Sequence, residues 1–146
     1  MCVEKALHAI ELCKDLLAWT FSSSASHLCQ TLGFHQESFL ENDSQDIKKA
    51  KQRLFFTIYR IDKGLSLRLG RPSNIQEYNV LLPCEPMELR WNKSANIQAR
   101  VYDELYSSFG LSRSYADRLH SANTLSSELR VLSDVRRPES NHISCT

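Results

Sequence analysis

Glycine and proline are scarce in this chain, four of each. The glycines stand apart at Gly33, Gly64, Gly70 and Gly110, so no glycine-rich loop can cradle a phosphate. A nucleophile elbow and a paired-histidine zinc motif are also missing. The five cysteines (Cys2, Cys13, Cys29, Cys84, Cys145) are odd in number and scattered, with no pair at metal-knuckle spacing. They predict free, mostly buried thiols rather than a disulfide framework or a metal site. Nothing approaches the roughly 18 uncharged apolar residues of a membrane span. Glu4, Lys5, Glu11, Lys14 and Asp15 break up any signal-peptide core. The net charge of +1 gives no reason to expect a polyanionic partner.

What remains describes a soluble, intracellular helical chain, with no membrane partner. The 146 residues fit one domain or part of a larger one, and 42% hydrophobic residues at a mean hydropathy of −0.38 allow a core. Charge is uneven. Residues 1–47 are acidic by five charges, whereas residues 48–71 carry eight basic residues against one acid, Asp62.

Apolar spacing predicts an all-α fold of about five helices. Val3, Ala6, Ile10, Cys13 and Leu17 place a helix over 2–19, and Met1 leads straight into it, which suggests a missing N-terminal part. Ser22-Ser23-Ser24 then breaks the pattern before a short helix over 25–32 that Gly33 ends. Asp43, Ser44 and Asp46 suit the start of a long helix over 46–69, with Phe55, Ile58, Leu65 and Leu69 on its apolar stripe. Gly64 inside it marks a close packing contact. Gly70 and Pro72 stop that helix, and 71–94 reads as extended coil, with Tyr78–Leu82 the one short strand candidate. Ile97, Val101, Leu105 and Phe109 give a helix over 95–109 ended by Gly110. Leu119, Leu125, Leu129 and Leu132 give another over 114–135. The domain is expected over 1–135, with a disordered polar tail at 136–146. Partial exposure of apolar residues is expected along the first and last helices.

No catalytic constellation emerges, and no enzyme is expected. Cys29 and His35 across a helix end are the nearest approach, and ordinary packing accounts for them. Asp62 is more informative, because a carboxylate on an apolar face needs a partner. Arg68 and Arg71 are the nearest candidates. Such a pair either senses a ligand or fixes the helix end to the following loop, and the second reading is favoured. The cluster Lys48, Lys49, Lys51, Arg53 reads as a solvated first turn, with a nuclear-import signal or phosphate contact as the alternative. DNA binding by this chain alone is not expected.

The run Arg53-Leu54-Phe55, Tyr59, Asp62-Lys63, Ser66-Leu67, Leu69-Gly70-Arg71-Pro72, Ile75, Glu77, Pro83 resembles the signature of the fungal-specific transcription factor domain. That domain is the middle regulatory region of fungal zinc-cluster factors, including xylanolytic activators. Leu32-Gly33-Phe34-His35 is similar to the end of an earlier family helix, and Ile97–Ser107 and Ala122–Leu132 resemble later ones. Phe56 stands where the family usually has Trp, and Tyr78-Asn79 replaces part of an acidic stretch. The resemblance implies a nuclear, non-enzymatic regulatory domain, with Arg53, Phe55, Phe56, Tyr59, Asp62, Leu69, Gly70, Arg71 and Pro72 as its structural signature. It implies protein partners in the transcription machinery or a related factor, and a small effector as a further candidate. Zinc and DNA contact would belong to an upstream six-cysteine cluster that these cysteines cannot form. A truncated stand-alone module modulating a full-length relative is the alternative.

Overall fold

The computed structural model describes residues 2–80, 82 and 86–134. Among them are six α-helices and no strand: α1 (Cys2–Glu11), α2 (Asp15–Thr31), α3 (Gln45–Leu69), α4 (Pro86–Val101), α5 (Ser108–Ser112) and α6 (Tyr115–Asp134). α1 and α2 form a hairpin, α3 packs between α2 and α4, and α6 closes against α4. The all-α class is as expected.

The central helix is well specified by its sequence. Ser44 sits in extended backbone before α3, and its carbonyl accepts from Lys48 N–H at 2.8 Å. At the other end Gly70 adopts φ +62°, ψ 39°, in the left-handed region that glycine enters without a Cβ clash. Gly70 N–H bonds to Leu67 O and Arg71 N–H to Ser66 O, the paired closure of a Schellman end. The Ser66 hydroxyl adds a bond to Arg71 O. Phe55, Phe56, Ile58, Tyr59 and Leu65 are all buried along α3. The first four join Ala25, Cys29, Ile75 and Ala95 in the main core. A second cluster joins Leu65 to Ala9 and Ala18, with Ile10, Trp19 and Ile61 alongside.

Several boundaries differ from the sequence reading. The helix expected over 2–19 is two helices: the chain turns at 12–14, where Cys13 takes φ +55°. The second does not stop at the serine run. Ala18, Ser22, Ala25, Ser26 and Cys29 recur at helical spacing and are buried, so the serines belong to a small-residue face that lets α2 approach its neighbours closely. Ser24 bonds back to Thr20 O within the same helix. The expected coil over 71–94 is interrupted by α4, which starts at Pro86, a residue that fits the first helical turn because the missing N–H has no partner there anyway. The strand candidate at Tyr78–Leu82 contains a 3₁₀ turn over Glu77–Asn79 instead.

The expected helix over 95–109 ends sooner. A single wide turn over Tyr102–Tyr106 closes with Ser107 N–H to Tyr102 O, and α5 then runs through Gly110 rather than ending there. A Cβ on Gly110 would lie 2.7 Å from the Glu104 carbonyl, so this glycine is needed for space. Ser114 caps α6, accepting from Asp117 N–H at 3.1 Å and donating to its carboxylate at 2.6 Å. On α6 only Leu125 of the expected stripe is buried, while Leu119, Leu129 and Val131 are exposed, as are Leu7, Leu16 and Leu17 at the other end of the chain. Exposure along the first and last helices is therefore as expected. Of the thiols, Cys29 is buried, Cys2 is half-buried and Cys13 is exposed, so burial is less general than the sequence suggested. Cys84, Cys145 and the tail 136–146 lie outside the described residues.

Gly64 packs less tightly than its place in the helix implied. A Cβ there would meet only Gln98 Oε1, at 3.4 Å, the end of a flexible side chain. Gly64→Ala is therefore expected to stabilise the fold by about 0.5–1 kcal/mol through lower backbone entropy in the unfolded chain. Gly70→Ala should cost about 1–2 kcal/mol, because the left-handed conformation then carries a Cβ. Urea denaturation of both variants checks the opposite signs.

Candidate functional site

Asp62 is fully buried in α3. Neither arginine proposed from the sequence is its partner. Arg68 pairs with Asp15 at 3.0 Å, and Arg71 lies over the Trp19 ring at 4.8 Å. The carboxylate instead receives the segment after the helix. Ser73 Oγ lies 2.5 Å from Oδ2, Asn74 N–H donates to Oδ2 at 3.0 Å, Asn74 Nδ2 donates to Oδ1 at 2.7 Å, and Ile75 N–H donates to Oδ2 at 3.1 Å. Main-chain and side-chain donors replace the water that burial removes. The carboxylate ties the helix to the following loop, as the favoured reading had it, but with different partners from those expected.

The same strap is tied on two further sides. Gln30 of α2 donates to Asn74 O at 3.4 Å, and Asn74 Nδ2 also reaches Ser23 Oγ at 3.1 Å. Lys63, 2% exposed, donates to Ile75 O and lies 5.2 Å from the centre of the Tyr59 ring. Burial lowers the Lys63 pKa, while the charges of Asp62, Glu77 and Asp103 act to keep its proton. Tyr59 then donates to Glu77 Oε2 at 2.5 Å, with the Asn96 side chain close to the same hydroxyl. Burial, the bond to Glu77 and the charge of that carboxylate raise the Tyr59 pKa well above its ordinary value. A polar chain thus runs from Ser73 through α3 to Glu77.

Beyond Tyr59 lies a cavity of about 540 Å³ between α3, α4, α6 and the end of the strap. Phe56, Val80, Leu82, Ile97 and Leu132 supply apolar walls, and Tyr59, Glu77 and Asn96 supply polar groups. Across its α4–α6 side, Arg100 bridges Glu104 at 3.1 Å and Glu128 at 2.7 Å.

The remaining signature residues are dispersed. Phe55 and Phe56 are core, their rings 5.6 Å apart and edge-on, Leu69 is half-buried, and Arg53 and Pro72 are exposed. Two members of the basic cluster are paired: Lys48 bonds Glu37 and Lys51 bonds Asp43, each at 2.7 Å. Cys29 has its thiol pushed up to about 11 by burial, which removes it as a nucleophile near neutral pH. His35 packs near Phe55 and approaches Gln36 at 3.1 Å. Ser73, Asn74 and Asn96 were not singled out in the sequence. A Ser-Asn pair just after a Gly-Arg-Pro helix end was the available signal, because short polar side chains there can bond back to a buried acid.

This signature helix, its left-handed end and its pinned strap form one contiguous segment, and comparison with known proteins covers all of it. The profile described as "Fungal specific transcription factor domain" matches residues 7–135. The chain belongs to that family. A relative in Kluyveromyces lactis, the lactose regulatory protein LAC9, is 31% identical over 80 residues, which is 53% of this chain. The match spans only 9% of LAC9's own length. No solved structure matches the chain. The fungal transcription factor domain is thus represented here by an α3 helix whose buried acid holds the following strap.

Asp62→Ala would leave the Ser73, Asn74 and Ile75 donors without an acceptor in a buried site. The expected loss is about 3–5 kcal/mol, the range for breaking a buried charged network. Chemical denaturation measures it, and a change below about 0.5 kcal/mol, the level of an ordinary surface substitution, would mean the strap does not depend on this carboxylate.

Proposed function

We infer that this chain is a regulatory domain of a fungal zinc-cluster transcription factor, acting in the control of DNA-templated transcription in the nucleus. The observation that carries the reading is the family match over 7–135, which embraces the pinned helix together with α2 and α4 packed on it. Regulation would work through helix packing. α3 touches both α2 and α4, so a change in its strap reaches the whole bundle. Protein partners would come from the transcription machinery or a related factor, and a small effector would act by favouring one packing over another. DNA contact and zinc would belong to a separate cysteine cluster rather than to this domain. The reading assigns no catalysis.

The test is a reporter assay in yeast. The full chain is inserted between a heterologous DNA-binding domain and an activation domain, and output is compared with a fusion carrying an inert helical spacer of equal length. A regulatory domain is expected to change output severalfold, and Asp62→Ala to abolish that change while the fusion persists at normal abundance. Equal output from the chain and the spacer would overturn the reading.

A further inference from the structure

We propose that the cavity between α3, α4 and α6 binds an apolar small molecule whose single polar head donates a hydrogen bond to Glu77. The inference rests on the regulatory reading above and gives the chemical class of the effector which that reading allows. The volume of about 540 Å³ lies within the range of small-molecule sites, roughly 300–1,000 Å³. Its walls are mostly aliphatic and aromatic, with Glu77 beside the Tyr59 hydroxyl on one side and Asn92, Lys93 and Glu128 as further polar lining.

The preference for a donor head follows from what each polar group already does. Tyr59 gives its hydrogen to Glu77 Oε2, with the Asn96 side chain close to the same hydroxyl. Lys63 is committed to Ile75 O and Arg100 to Glu104 and Glu128. A carboxylate accepts and does not donate, and Tyr59 occupies only one of the several lone-pair sites of Glu77. A hydroxyl or amine can meet the remaining ones. A carboxylate or phosphate would face two acids, Glu77 and Glu128, across an apolar space, with exposed Lys93 as the lining cation. Glu77 lies on the strap that Asp62 holds through Asn74 and Ile75, so a bound head acts on the element joining cavity to α3.

The experiment uses the full chain with Nile red as an environment-sensitive probe and octanol, octylamine and octanoate as competitors, below their aggregation limits. Octanol and octylamine are expected to displace the dye at concentrations about tenfold or more below octanoate. Glu77→Leu should erase that preference, and Leu132→Trp, which fills the cavity from α6, should abolish saturable uptake by a chain that retains its helical circular dichroism. Equal competition by the three heads, no saturable uptake, or uptake that survives Leu132→Trp would overturn the proposal. These outcomes leave the reporter result untouched, so failure of the ligand assignment and failure of the transcriptional reading are separable.

Discussion

A single buried carboxylate organises this domain. Asp62 lies in the C-terminal half of α3, and its carboxylate accepts from residues 73–75. Burying an acid is unfavourable unless donors replace its hydration. Here the strap supplies them, and because two are main-chain N–H groups, the backbone path after the helix is set by the requirement. Gly70 makes that path reachable: its left-handed turn reverses the chain within a few residues of the helix end. The strap in turn carries Ile75 into the core and Glu77 to the Tyr59 hydroxyl. Helix end, core residue and cavity wall all depend on one acid.

α3 is packed on two sides, by α2 and by α4. On the α2 side the contacts come from small residues, Ala18, Ser22, Ala25 and Ser26, which bring helices close at low side-chain entropy cost. On the α4 side Ala95 and Ala99 are buried as well, and the cavity lies beyond them toward Phe56, Ile97 and α6. Gly64 borders a shallower cleft of about 430 Å³, consistent with room for an added methyl.

How much of this was legible in the sequence depended on how local each signal was. The Phe55–Leu69 stripe and the Gly70 stop were readable, because helical spacing and a left-handed cap are properties of short windows. The break at 12–14 was not, because Leu12, Cys13 and Leu16 continue the apolar pattern while the backbone turns. The serine run misled for the opposite reason. Serine is a poor helix former in isolation, but burial against neighbouring helices decided the outcome at Ser22 and Ser26. That Asp62 must find a partner was legible; which partner was not. Charge suggested Arg68 and Arg71, yet Asp15 and Trp19 claim them from α2, a long-range arrangement that no local window contains. The cavity depends on how α3, α4 and α6 assemble, and no single segment announces it.

The most direct measurement of the central claim is native-state hydrogen exchange at the Asn74 and Ile75 amides. Both lie outside any helix, so sequence position alone predicts fast exchange. If Asp62 holds the strap to α3, the two amides should exchange only through global unfolding, with protection equal to that of the central α3 amides. Exchange at the rate of exposed loop amides, while α3 stays protected, would contradict the account.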